Sequence, residues 1–167
     1  MKLIGLDPGL RATGWGIIDT RGNNLTYIAD GTVRIPARLG LAERLAVLFR
    51  ELTAVLENYR PEEAAVEETF VNKNPKTTLK LGQARGVVLL VPSMAGLPVG
   101  EYPANVIKKS LVGAGHAGKD QIKMMVEMLL PNAVIDSSDS ADALAVAVCH
   151  AHHRRSLSLW EESKVAT

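Results

Sequence analysis

The sequence predicts an α/β fold built on a mixed five-stranded sheet with helices on both faces. Three observations predict it. Residues 3–35 hold three short apolar runs separated by tight turns. From Leu39 onward the apolar spacing changes from strand-like to helical. Short apolar runs then alternate with helical segments, the pattern of crossover connections in a sheet with parallel strands.

The elements follow in order. Leu3–Leu6 is an apolar run that stops at Asp7-Pro8-Gly9, a buried strand running into a turn. Thr13–Asp19 reads as a second strand. Arg21-Gly22-Asn23-Asn24 supplies the turn that returns the chain. Leu25–Ile35 is a third strand, with a bulge expected near Gly31. Together these make an antiparallel meander. Between Leu39 and Tyr59, apolar residues at Leu41, Leu45, Leu48, Leu52, Val55 and Leu56 trace one face of a helix that Pro61 ends. Ala64–Val66 is a short strand leading into Glu67. Asn74-Pro75 has the form of an N-cap with proline at the first helical position, opening a helix to about Val91, before Pro92. Val99–Tyr102 is the fifth strand. Helices follow from about Ala104, over Lys119–Leu130, and from about Asp139 to His153. Residues 1–153 thus form one domain, and 154–167, with Arg154-Arg155 and mixed charge, read as a flexible C-terminal tail.

Composition narrows the function classes. A chain of 167 residues, 47% apolar, suits one compact domain with a sizeable core. Lys plus Arg is 19 and Asp plus Glu is 18, a net charge of +1, so any nucleic-acid surface must come from local clustering of cations. The single cysteine, Cys149, excludes an internal disulfide framework and suits a reducing compartment. The apolar run after Met1 is too short for a signal peptide, and no segment is long enough to span a membrane. The expectation is a soluble, cytoplasmic protein.

The chemistry lies in the carboxylates. Asp7 ends an apolar strand, where a charge is costly unless paired or bound to a metal. Glu67 and Glu68 end another, and strand alternation sends them to opposite faces without saying which faces inward. Asp139 and Asp142 stand three apart at a helix start, so they share one face. Capping of that helix is the plain alternative for Asp139. For Asp142 it is less apt, because the apolar run Ala143–Val148 closes around it. Asp136 reads as a loop residue outside the site. If the strands are neighbours and the helix packs beside them, the acids converge. An oxygen-only cluster of this kind suits hard cations such as Mg²⁺ or Mn²⁺, and no Cys or His spacing supports zinc.

A set of segments then resembles the RuvC-type Holliday-junction resolvases, the crossover junction endodeoxyribonucleases. They are Gly5-Leu6-Asp7-Pro8-Gly9 with Thr13-Gly14-Trp15-Gly16, Val66-Glu67-Glu68-Thr69-Phe70 with Lys73-Asn74, Tyr102-Pro103-Ala104 with Val106-Ile107-Lys108, Val112-Gly113 with Gly118-Lys119, and Asp139-Ser140-Ala141-Asp142-Ala143-Leu144-Ala145. They occur in family order over about residues 1–153. The resemblance implies a ribonuclease H-like fold. It implies a homodimer that nicks a four-way DNA junction symmetrically by metal-activated in-line attack of water, leaving 5′-phosphate and 3′-hydroxyl ends. It places the protein in homologous recombination and DNA repair, with the RuvA and RuvB branch-migration complex as partner. It assigns Asp7, Glu67, Asp139 and Asp142 as metal ligands for two Mg²⁺ ions, with Mn²⁺ as a substitute. Lys119 joins them as a catalytic cation near the scissile phosphate, and Phe70, Lys73, Lys76, Lys108 and Lys119 as DNA-binding residues.

Other residues have plainer readings. Arg85, on an apolar helix, fits DNA contact or an ordinary surface equally. His116 reads as a loop residue, and His150, His152 and His153 as surface or capping residues. Met124, Met125 and Met128 read as helix packing. Gly82 and Gly86, four apart with Leu79 and Leu90 nearby, would let a second helix approach and mark a dimer surface; packing on the chain's own sheet is the alternative. Three other readings compete, one of them a non-catalytic junction-binding protein, for which the four acids and their burial cost would be unnecessary. An actin-like ATPase shares the opening Asp-x-Gly turn but needs a second lobe. A ribonuclease H-like nuclease acting on RNA or flaps would share the metal site.

Overall fold

The computed structural model describes the backbone of residues 1–68 and 74–165 and the side chains of residues 1–68 and 74–154. Strands β1 (Lys2–Asp7), β2 (Ala12–Arg21) and β3 (Asn24–Arg34) are followed by helix α1 (Leu41–Tyr59) and β4 (Glu63–Glu68). Then come α2 (Pro75–Met94), β5 (Val99–Pro103), α3 (Ala104–Val112), α4 (Lys119–Leu129) and α5 (Ser138–Val165). The sheet order is β3-β2-β1-β4-β5. The meander is antiparallel, and β4 and β5 join it in parallel with β1. The fold is the ribonuclease H-like α/β arrangement expected.

The core has two layers. Leu3, Ile18 and Ala65 face one way and pack with Ile107, Ile122, Val126 and Leu144 from α3, α4 and α5. Ile4, Leu6, Ile17 and Val66 face the other way and pack with Leu48, Leu52, Ala84 and Val88 from α1 and α2. Near-continuous apolar runs in β1 and β4 follow from this burial on both faces. Apolar contact forms most of the join between the sheet and both helix layers, and each fully buried leucine contributes about 1.5–3 kcal/mol.

Four local expectations change. The bulge in β3 is not at Gly31 but at Ile28, the residue skipped where the register passes from Ile17–Ala29 to Ile18–Tyr27. Gly31 instead seats an indole: a Cβ there would lie 2.6 Å from Trp15 Cζ2. Helix α2 runs past Pro92 to Met94, because a proline this near the end removes one bond and the last turn recloses through Ala95 N–H donating to the Val91 carbonyl. Helix α5 continues to Val165 rather than ending near His153; no glycine or proline interrupts residues 154–165. Met124 and Met128 are exposed, and of the three methionines only Met125 packs on the core. Among the described residues, no helix is long and apolar enough to cross a membrane.

Candidate active site

Asp7 closes β1, and its neighbour Leu6 pairs with Val66 of β4, which sets Asp7 level with Glu67. Alternation then fixes the faces. Leu3 and Ala65 face α5, so Asp7 and Glu67 do too. Glu68 falls on the opposite face and is exposed. The choice between the two glutamates, open from alternation alone, is decided by which face carries the helix.

Three glycines let that helix lie directly on the sheet. A Cβ on Gly5 would come within 2.1 Å of the Ala143 carbonyl oxygen, one on Gly14 within 1.9 Å of the Asp139 carbonyl oxygen, and one on Gly16 within 2.7 Å of the Leu144 side chain. Gly5 and Gly14 flank Asp7 in sequence and in sheet register, since Asp7 pairs with Gly14. The motif glycines therefore bring the first turn of α5 onto the strand end that carries Asp7.

The first turn of α5 is capped by Ser137, whose hydroxyl accepts the Ser140 N–H at 3.1 Å while the Ser140 hydroxyl accepts the Ser137 N–H at 3.0 Å. Ser137 is further tied to Thr32. The capping role open to Asp139 is thus filled by its neighbour. Asp136 lies outside the cluster, its N–H bonded to Asp30.

Burial pushes the Asp7 carboxyl up to about 8, and the charges of Glu67, Asp142 and Asp139 add to the shift. Burial likewise raises Glu67 to about 7, with Asp142 adding and Lys108 and Lys119 opposing. Lys119, first residue of α4, sets its Nζ 3.3 Å from Asp142 Oδ2. That carboxylate holds the ammonium above its ordinary pKa. The four acids therefore feel one another as a unit, with two lysines at the rim. Among the described residues, no three acids, histidines or cysteines close to metal-ligating distance. The donor set, all carboxylate oxygen with two groups resisting ionisation, is one that a hard divalent cation relieves.

The remaining residues divide. Lys108 is near enough for its charge to act on Glu67. Lys76 is exposed in the first turn of α2, where Asn74 Oδ1 accepts its backbone N–H at 3.0 Å. Phe70 and Lys73 lie outside the described residues. Arg85 is paired with Glu101 of β5, which favours a structural role over DNA contact. His116 is an exposed loop residue. His150 is not a surface residue: it is buried between Tyr102 Oη at 2.8 Å and Glu63 Oε2 at 3.0 Å, and Arg154 completes the group on Glu63 at 2.8 Å. Burial lowers its pKa. Tyr102 is the register partner of Glu67, so this network braces β4, β5 and α5 behind the acids. His152 bonds Ser110, and His153 lies beside Cys149. Sequence reasoning missed Arg11, Arg44 and Lys80, which line a groove ending at Asp139. Their signal was faint, since no two are close in sequence.

Comparison with known proteins decides the family. The model for the crossover junction endodeoxyribonuclease RuvC matches residues 3–150. The chain belongs to the RuvC family. The RuvC endonuclease of Paramagnetospirillum magneticum is 61% identical over 154 residues, covering 92% of this chain and 93% of that protein. The Rhodospirillum rubrum RuvC is 60% identical over 154 residues, covering 92% and 91%. In structure, Thermus thermophilus RuvC in complex with a Holliday junction substrate matches with a TM-score of 0.86 at 33% identity, covering 93% of this chain and 95% of that one. The yeast mitochondrial Holliday junction resolvase Ydc2 shares the fold, with a TM-score of 0.62 at 12% identity over 88% of this chain and 77% of that one. RuvC membership makes this chain a crossover junction endodeoxyribonuclease by family.

Proposed function

We propose that this protein resolves four-way DNA junctions by paired symmetric nicks, leaving 5′-phosphate and 3′-hydroxyl ends, in homologous recombination and DNA repair. One observation carries the reading. Two neighbouring parallel strand ends and one helix start deliver Asp7, Glu67, Asp139 and Asp142 to the same face, with Lys119 against Asp142.

In this reading, the four carboxylates hold two Mg²⁺ ions, with Mn²⁺ as a substitute. Bound there, they would acidify the attacking water and polarise the phosphodiester for in-line displacement. The chain's own residues do the rest. The acids fix the charge of the site, and the apolar packing of α5 keeps Asp139 and Asp142 from turning away. Lys119 faces the charge that develops on the phosphate, a role worth about 100-fold or more in rate for a well-placed donor. Lys108 and Lys76 bind the DNA backbone. Phe70 stacks on bases at the crossover and Lys73 supports it electrostatically.

A homodimer with one site per protomer matches the two-fold symmetry of the junction. Helix α2 supports this. Among the described residues, no other element comes within 4 Å of a Cβ on Gly82 or Gly86, which favours an external partner over packing on the chain's own sheet. Leu79 and Leu90 on the same helix are exposed. The dimer would work with the RuvA and RuvB branch-migration complex in the cytoplasm.

The test is a labelled synthetic four-way junction incubated with and without Mg²⁺, with nicks mapped on all strands. Flap and RNA–DNA hybrid substrates run beside it. Symmetric Mg²⁺-dependent nicks in the junction alone are expected; preferential cutting of flaps or hybrids overturns the reading.

A further inference from the structure

Lys108 and Lys119 belong to the helices on the α3–α5 side of the sheet. On the other side of the acids, the β1–β2 loop, the start of α1 and the first turns of α2 enclose a groove of about 500 Å³ lined by Arg11, Arg44, Thr77 and Lys80 and bounded by Asp139. We propose that this groove is a second DNA-backbone subsite, in which Arg11 and Lys80 hold a phosphate beside the one that is cut. The proposal rests on the junction-nuclease reading and adds to it a grip on the opposite side of the acids.

The loop that carries Arg11 is built to stay in place. Thr13 Oγ1 donates to the Gly9 carbonyl at 2.7 Å and accepts the Gly9 N–H at 3.2 Å. Arg44 Nη2 donates to the Leu10 carbonyl at 2.6 Å. The Arg11 carbonyl accepts the Ile35 N–H at 2.9 Å. Thr13, Arg44 and Ile35 thus hold three consecutive loop residues, Gly9, Leu10 and Arg11, which fixes the base of the Arg11 side chain. Arg44 acts through the loop and is a positioning residue. Its Nε is buried without a hydrogen-bond partner among the described residues.

Charge supplies the second argument. Among the described residues, neither Arg11 nor Lys80 forms an ion pair. Two unpaired cations and a third held beside them gather at one groove in a chain whose net charge is only +1. The one acid at its border, Asp139, belongs to the proposed metal set, so its charge would be answered there. A phosphodiester supplies the anion that the groove lacks, and guanidinium and ammonium groups are its usual partners. A strand crossing the acids would then be gripped by Lys108 and Lys119 on one side and by Arg11 and Lys80 on the other.

The test uses full-length protein with a synthetic four-way junction. Binding is titrated with salt in metal-free buffer, for wild type, Arg11→Ala, Lys80→Ala, the double variant, and Arg50→Ala as an exposed-cation control. Each lost phosphate contact should lower the slope of log K against log salt by about 0.9. A neutral methylphosphonate is then walked along the cut strand. One linkage should weaken wild type several-fold and leave the double variant indifferent, and Lys108→Ala should be indifferent at a different linkage. Slopes equal to that of Arg50→Ala, or identical linkage profiles for wild type and double variant, overturn the subsite while wild-type cutting in Mg²⁺ leaves the junction reading intact. A wild type that neither binds nor cuts the junction brings down both.

Discussion

Gly5 and Ala143 meet backbone to backbone: the space where a Cβ of Gly5 would sit is 2.1 Å from the Ala143 carbonyl oxygen. The contact is one residue beyond Asp142 on the helix and two residues before Asp7 on the strand, so it sets the distance between two of the acids. Gly5→Ala must therefore push α5 off the sheet. Strain of this kind costs about 1–3 kcal/mol or more. Thermal unfolding should fall by several degrees, and junction cutting should fall more than junction binding.

Glu67 and Glu68 are adjacent in sequence and opposed in space. Glu67→Gln and Asp7→Asn should each bind a junction yet lose about 100-fold or more in cutting rate, the scale expected when a charge-stabilising group is removed from an active site. Glu68→Gln should cut within about twofold of wild type, as exposed substitutions distant from the chemistry commonly do. Single-turnover cleavage with excess enzyme separates the two outcomes. Equal losses at both positions would contradict the facing of β4.

The raised carboxyls make a statement about stability and pH. Asp7, near 8, and Glu67, near 7, bind protons in the folded chain that the unfolded chain has already released at their ordinary values of 3.8 and 4.5. Their contribution is fully present below about pH 4 and is lost as pH rises through 7 to 8. The metal-free protein should therefore lose stability from these groups over that window. His150, lowered by burial, contributes in the opposite sense below its ordinary value of 6.5. Asp7→Asn leaves His150 unchanged, so the difference in melting temperature between variant and wild type, followed from pH 5 to pH 9 in chelator, reports Asp7 and the acids coupled to it. The variant should gain on wild type as pH rises. Mg²⁺ should stabilise wild type most at the alkaline end, where the acids are ionised.

Gly86 tests the dimer without touching the fold. Among the described residues, a Cβ there meets no other element within 4 Å. Gly86→Leu should keep the melting temperature of an isolated protomer and shift the species in sedimentation from dimer to monomer. A wild-type monomer at working concentration would remove the dimer outright.

Much of this was readable from residues. The order of strands and helices followed from the change in apolar period at Leu39, and Asn74-Pro75 marked the start of α2. The four acids were legible because each ends or starts an element, where a charge among apolar residues is conspicuous. What stayed hidden depended on facing and neighbours. Alternation separated Glu67 from Glu68 without choosing, because the choice needs the side on which α5 packs. His150 looked like a surface residue, since nothing local to it announces Tyr102 and Glu63 as distant partners. Gly31 suggested a bulge because the Trp15 ring above it belongs to another strand. Arg11, Arg44 and Lys80 come from three separate elements and meet only in the folded chain.

Helix α5 presents Asp139 and Asp142 and, in its next turns, Ala143–Cys149, all buried at the centre of the molecule. The end proposed to hold metal and the keystone of the core are one rod. A cation drawing Asp139 and Asp142 toward Asp7 would thus tighten the packing of the whole domain. The amides of Ala143–Cys149, in the buried stretch of α5, should exchange more slowly still when the protein is given Mg²⁺. Hydrogen exchange at Leu144 or Val146, far from solvent, would then report occupancy of a site that neither residue touches.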